Sequence, residues 1–288
     1  MKKILVLLGI LLLCACSPYR TAGILNTAVI THTLSLTKIK PENVQRTNTP
    51  TQFSSTLTPT STPIPYCVHS PLAGEDLNGL KEIMSNPFDP PPFGQDTGHH
   101  GVDFAYFTHG DQTSIRGLPI YNLLSGYIAA NLTDTTPYGN LVIIETPLNE
   151  IPSEMLSDLA LSMDPVPDDP NYRLNCPTQV FDFNPSLDKL SIYHLYAHLE
   201  EPANFPLGEY IKCGSTIGKV GNTGMSSNPH LHLETRLGPA SITFNKMDHY
   251  TASASIEEMT NYCLWRMSGY FQLFDPFILL EKINVTKP

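Results

Sequence analysis

Ser191-Ile-Tyr-His-Leu-Tyr-Ala-His-Leu199 repeats with a period of two. As a strand it places Ile192, His194, Tyr196 and His198 on one face and Tyr193, Leu195, Ala197 and Leu199 on the other. The second set reads as core, and His194 as a packed or solvent-facing strand residue. His230-Leu-His-Leu-Glu234 repeats the pattern, with Leu231 and Leu233 inward and His230, His232 and Glu234 sharing the opposite face. Two imidazoles therefore point the same way. Outward from these stretches, Leu118 to Ala130, Asn140 to Thr146 and Tyr210 to Val220 are further short runs bounded by turn signals, and each reads as a strand. The chain of 288 residues carries 26 prolines and 18 glycines, which favour turns over long helices. The fold class is mostly β.

A third histidine segment, His99-His100-Gly101-Val102-Asp103, sets a carboxylate four residues from a histidine, with a glycine between them to allow a bend. Joined by a distant histidine, such a pair makes a three-ligand set of the kind that holds zinc and leaves one position open. On spacing alone His99 and His100 both qualify. Glu234, along the face of His232, reads as solvated or salt-bridged, with a hydrogen bond to a ligating imidazole as the alternative role.

Together His-x-Gly-Val-Asp at 99–103, Tyr-Ala-His-Leu at 196–199 and Gly-Asn-Thr-Gly-Met-Ser-Ser-Asn-Pro-His-Leu-His-Leu-Glu at 221–234 resemble the LytM/lysostaphin-type zinc endopeptidases of peptidoglycan. The resemblance runs from about Phe93 to Phe277. It implies the antiparallel sheets of that family's duplicated hybrid motif, zinc held by His99, Asp103 and His232, and His198 and His230 acting on the water and the reacting carbonyl. No tyrosine stands just before His99, where some relatives place an oxyanion donor. The distance from His99 to His232 is longer than in a compact family member. The excess implies an insertion at about 147–188, read as irregular with a short helix near Ser153 to Ser162, and read as decoration of the fold. A second addition spans about 240–269 and contains Cys263 and Trp265.

Lys2 and Lys3 precede an apolar run from Ile4 to Leu13, too short for a ~30 Å hydrocarbon core and suited to a secretory signal. Leu13-Cys14-Ala15-Cys16 resembles the bacterial lipoprotein signal box, which implies a signal peptide over 1–15 and lipidation of Cys16. Residues 41–65 hold five Pro, seven Thr and three Ser, so residues 16–65 read as a lipid-anchored tether and 66–288 as the peptidase domain. His32 in the tether reads as inert. Lys+Arg 17 against Asp+Glu 27 give −10, and removing residues 1–15 takes away two lysines to leave −12. That balance, with no basic block, excludes a nucleic-acid partner. In an exported chain Cys67, Cys176, Cys213 and Cys263 read as up to two disulfides of open connectivity, and a bridge from Cys176 or Cys263 to the main domain would hold the additions down.

Two weaker patterns carry nothing. Ser186-Leu-Asp-Lys189 lacks the Ser-Asp-Asn and Lys-Thr-Gly partners of penicillin-recognising enzymes. Gly218-Lys-Val-Gly-Asn-Thr-Gly224 lacks phosphate-loop spacing. The resemblance implies a zinc endopeptidase that hydrolyses peptide cross-links or stem peptides of peptidoglycan, exported and anchored to the membrane facing the wall. The alternative class is a non-catalytic wall-binding or amidase-activating regulator working through a partner. All five polar positions that the family uses are filled.

Overall fold

The computed structural model describes residues 66–106, 114–166 and 174–283. The chain divides into Met1–Thr60 and Ser61–Pro288, and all described residues belong to the second unit. The signal over 1–15, Cys16 and the tether over 16–65 lie outside the described residues.

In chain order the elements are α1 (Leu77–Glu82), β1 (Met84–Asn86), β2 (Val102–Phe104), β3 (Pro119–Tyr121), β4 (Gly126–Thr135), β5 (Gly139–Pro147), α2 (Ser153–Leu159), β6 (Leu190–Ala197), β7 (Tyr210–Ile211), β8 (Thr216–Lys219), β9 (Leu231–Pro239), α3 (Ile256–Arg266), β10 (Gln272–Phe274) and α4 (Phe277–Leu280). One antiparallel sheet runs β1-β2-β9-β6-β5-β4-β7, with β10 also on β9, and β3 pairs with β8 in a separate ribbon. The fold is the expected mostly antiparallel β class.

Two expected strands are each broken in two. Leu118 to Ala130 becomes β3 and β4 because the backbone at Asn122 leaves the ribbon. There the buried Asn122 side chain donates to the carbonyls of Ile211 and Lys212 at 3.2 and 3.3 Å. Tyr210 to Val220 becomes β7 and β8, split by the turn at Gly214, whose φ is +74°.

The sheet is buried on both faces, which its alternating pattern does not announce. One face packs Val102, Ile144, Ile192, Tyr196 and Leu233 against Ile120 and Ile217 of the ribbon, Leu80 of α1 and Leu279 of α4. The other packs Ala129, Ile143, Tyr193 and Leu195 against Val180, Phe244, Trp265 and Phe271. Tyr193, Phe244, Trp265 and Phe271 meet edge to face or tilted, with centroids 5.3–6.2 Å apart, each pair contributing ~0.5–1.5 kcal/mol beyond its buried area.

Residues 147–188, read as decoration, thus contribute Val180 to the core on this face, and residues 240–269 contribute Phe244, Met247, Tyr262, Leu264 and Trp265, with Phe271 beyond them. The expected short helix is α2, whose Leu159 joins the first core. α3 was not foreseen, although Ser255 and Glu258 form a capping box, the local signal that starts a helix.

Disulfides join Cys67 to Cys213 and Cys176 to Cys263. The expected bridge from an insertion to the main domain is therefore corrected. The bridge ties the two segments to each other, α3 lying beside the stretch around Cys176 on the same sheet face.

Candidate metal centre

β2 and β9 are neighbours, and their register sets Asp103 opposite His232. β6 lies on the other side of β9 and sets Ala197 opposite the same His232. His99 precedes β2, where its backbone exchanges hydrogen bonds with Asp89 at 2.7 and 3.0 Å. Gly101 is required by close approach rather than by a bend, since a Cβ there would stand 2.2 Å from the Leu233 carbonyl oxygen.

These pairings bring three donor atoms to one point. His99 Nε2 is 3.1 Å from Asp103 Oδ1 and 3.2 Å from His232 Nδ1, and His232 Nδ1 is 2.8 Å from Asp103 Oδ1. The far nitrogen of each imidazole is committed. His99 Nδ1 donates to the Pro87 carbonyl at 2.8 Å, and His232 Nε2 donates to Glu234 Oε1 at 3.1 Å. Donation from Nδ1 turns the lone pair of His99 Nε2 toward the carboxylate oxygen of Asp103, two acceptors with no proton between them. A cation answers both, so the set fits a metal ion. Burial works to raise the Asp103 carboxyl, but its hydrogen bond with His232 at 2.8 Å holds it far below the usual range. Burial would lower His232, but Asp103 and Glu234 raise it to about 9.

His198 and His230 stand beside the triad, with ring centroids 4.6 Å apart. They line, with His99, Asp103 and His232, a cleft of about 480 Å³. His198 departs from the face expected for it. Its φ is +62°, a left-handed conformation that breaks the strand's alternation, so that Leu199 joins the core with Tyr196 while His198 turns toward His232. Its Nδ1 donates to the Thr223 carbonyl at 2.7 Å. Burial, with His232 and His230 adding to it, lowers His198 to about 3. His230 Nδ1 donates to the Asn228 carbonyl at 2.8 Å, and its Nε2 lies 3.6 Å from Asp103 Oδ1.

His194 does not reach the cleft. It is buried between Thr146 Oγ1 at 3.1 Å and the Tyr196 hydroxyl at 3.0 Å. His100 lines the cleft but is not among the converging donors: its Nδ1 accepts from Arg236 Nη2 at 2.9 Å, and burial with Arg266 and Arg236 lowers it to about 2. Of the adjacent pair, His99 faces the other donors.

Sequence reasoning saw only part of the layer behind the site: Glu234 has the expected salt bridge, to Arg236, and also the alternative role of bonding the His232 imidazole, while Tyr138, Trp265 and Arg236 were not foreseen in it. Glu234 is fully buried. Its Oε1 accepts from His232 and from the Tyr138 hydroxyl at 2.7 Å, while its Oε2 accepts from Arg236 Nε, Arg236 Nη2 and Trp265 Nε1 at 2.9, 2.8 and 3.1 Å. Burial opposes its charge, yet Arg236 and His232 keep its carboxyl well below the ordinary value. Arg236 in turn spends its remaining donors on His100 and on the Trp265 and Phe271 carbonyls. Period two on β9 already grouped Glu234 with His232, but Arg236 was not read with them and nothing local linked them to Trp265.

Residues 187–244 match the model of peptidase family M23. The M23 segment spans β6 to β9 and carries His198, His230 and His232, while His99 and Asp103 lie outside it and reach it through the β2–β9 pairing. The chain thus resembles the LytM/lysostaphin-type peptidases of that family. Among solved structures, the lysostaphin catalytic domain from Staphylococcus simulans shares 20% identity, with 71% of this chain and 95% of that one covered and a TM-score of 0.35. A putative peptidase M23 from Pseudomonas aeruginosa shares 17% identity over 69% of this chain and 50% of that one, TM-score 0.31. A zinc containing peptidase from Vibrio cholerae shares 22% over 53% and 32%, TM-score 0.29. No curated protein matches the chain.

Proposed function

We propose that this protein is a zinc-dependent endopeptidase that hydrolyses peptide bonds in the cross-links or stem peptides of bacterial peptidoglycan. The observation that carries the reading is the convergence of His99 Nε2, Asp103 Oδ1 and His232 Nδ1 within 4.8 Å of one another, beside His198 and His230 in one open cleft. The M23 match and the resemblance of all three histidine segments support the substrate class.

His99, Asp103 and His232 would hold the zinc. Bound there, zinc acts as a Lewis acid that polarises a carbonyl and brings the pKa of water toward ~7. His198 is neutral at physiological pH, and its bond to Thr223 leaves Nε2 as an acceptor. That nitrogen takes the proton of the attacking water and returns it to the departing amine. His230, fixed through Nδ1 by Asn228, stands beside His198 with ring centroids 4.6 Å apart and turns Nε2 toward the metal site, where it can bind the reacting carbonyl.

Export and anchoring through Cys16 complete the proposal, with residues 16–65 as the tether that lets the domain face the wall. The experiment is incubation of the purified full-length protein with peptidoglycan, with and without chelator, followed by mass analysis of the fragments. Chelator-sensitive release of peptides with new amino termini supports the reading. A protein free of zinc, or wall turnover unaltered in His198→Ala, refutes it; stimulation of a separate amidase by the metal-free chain would favour the regulator instead. Recovery of Cys16→Ser in the membrane fraction would refute the anchor.

A further inference from the structure

The segment between β9 and β10 reaches the site from behind. Trp265 is fully buried, its ring packs on the Arg236 guanidinium with 4.7 Å from the charge to the centroid, and its indole N–H donates to Glu234. Arg266, the last residue of α3, donates through Nη1 to the Tyr138 hydroxyl at 2.8 Å and through Nε to Asp96. Tyr138 donates its own hydroxyl hydrogen bond to Glu234 Oε1, the oxygen that also accepts from His232 Nε2–H. Asp96 is held as well by the hydroxyls of Tyr250 and Tyr262. An unbroken chain of hydrogen bonds therefore runs from α3 to His232.

Its direction matters. If Tyr138 donates to Glu234, its oxygen is left to accept, and Arg266 supplies the proton that keeps it so. If Trp265 loses its N–H, Glu234 Oε2 keeps the two bonds from Arg236 but loses the one that holds it from α3, so the carboxylate is less tightly fixed against the imidazole. The disulfide at Cys263 pins the same helix two residues before Trp265.

We propose that Trp265 and Arg266 are positioning residues of the metal centre, orienting His232 through Glu234 and Tyr138. This rests on the reading of the cleft as a zinc site, so the test measures the metal apart from turnover. Full-length wild type, Trp265→Phe, Arg266→Met and Leu264→Ala are compared in zinc competition against a chromophoric chelator. The visible absorption of the cobalt-loaded proteins and the unfolding of the metal-free proteins are recorded alongside. Leu264 packs in the same core beside them and reports loss of packing alone. The expected result is about tenfold weaker zinc binding in Trp265→Phe and Arg266→Met, the low end of what loss of an outer partner costs. A shifted cobalt band should accompany it, while Leu264→Ala is less stable but binds as wild type does. Unchanged affinity and spectrum in the first two, or an equal loss in Leu264→Ala, overturns the inference. A wild type that binds neither metal at this site refutes the zinc reading itself, and this inference with it.

Discussion

Replacing Glu234 by Gln tests the inner layer most directly, because the carboxylate accepts five hydrogen bonds and has nothing else to accept. Gln must turn an NH2 toward one set of donors. Placed at Oε2 it faces two N–H groups of Arg236 and the indole of Trp265, and it leaves a guanidinium that is only 1% exposed without its counter-charge. Breaking a buried pair this way costs ~3–5 kcal/mol, a large part of the ~5–15 kcal/mol that holds a typical domain together. Placed at Oε1 it meets His232 Nε2–H, forfeiting the bond that orients the ligand, and metal affinity falls by ~10–100-fold. For a unit of this size ~3–5 kcal/mol lowers the melting midpoint by roughly 6–20 °C. The assay is thermal unfolding of the chelator-treated protein, followed by the fluorescence of the single Trp, together with zinc competition. A Gln variant that melts within ~2 °C of wild type, less than ~1 kcal/mol, and binds zinc equally well refutes the claim that Glu234 anchors the site.

His198→Ala removes the proposed proton carrier without touching a ligand, so hydrolysis should fall by ~10²–10⁴-fold while zinc content measured by atomic absorption stays at the wild-type value. Gly224 has φ +74°, and a Cβ there would stand 2.3 Å from Gly139 N. Gly224→Ala should cost ~1–3 kcal/mol in thermal melts and lower turnover further, by moving Thr223, whose carbonyl holds His198. Burial lowers His194 to about 3, so the folded chain resists a proton that the unfolded chain accepts near pH 6.5. Stability attributable to His194 is therefore complete above about pH 6.5 and is lost as pH falls toward 3, at ~1.4 kcal/mol per unit. Denaturant melts of His194→Gln should show a shallower acid slope than wild type. In the metal-free protein His232 titrates near 9, above its unfolded value, so its contribution is present below about pH 6.5 and is lost as pH rises through 9. Calorimetry at neutral pH should then register release of a proton when zinc binds.

Much of the site can be read from local pattern. Period two groups His230, His232 and Glu234, and the motif spacing marks His99 and Asp103. The same rule misplaces His198, because it assumes an unbroken strand, and a left-handed residue at the strand's end exchanges the faces of His198 and Leu199. Likewise Ser255 and Glu258 carry a helix start, yet nothing nearby says that the helix will seal a sheet.

By itself, then, the sequence determined the β class and marked His99, Asp103, His198, His230 and His232 through three short motifs, each of which is read within a few positions. Only the tertiary structure decided which cysteines pair, that both sheet faces are buried, and that Trp265 and Arg266 stand behind His232. Those facts depend on the order β2-β9-β6 and on a helix that docks across it. Contacts between segments far apart in the chain are set by packing and charge compensation, which leave no periodic trace in either segment alone.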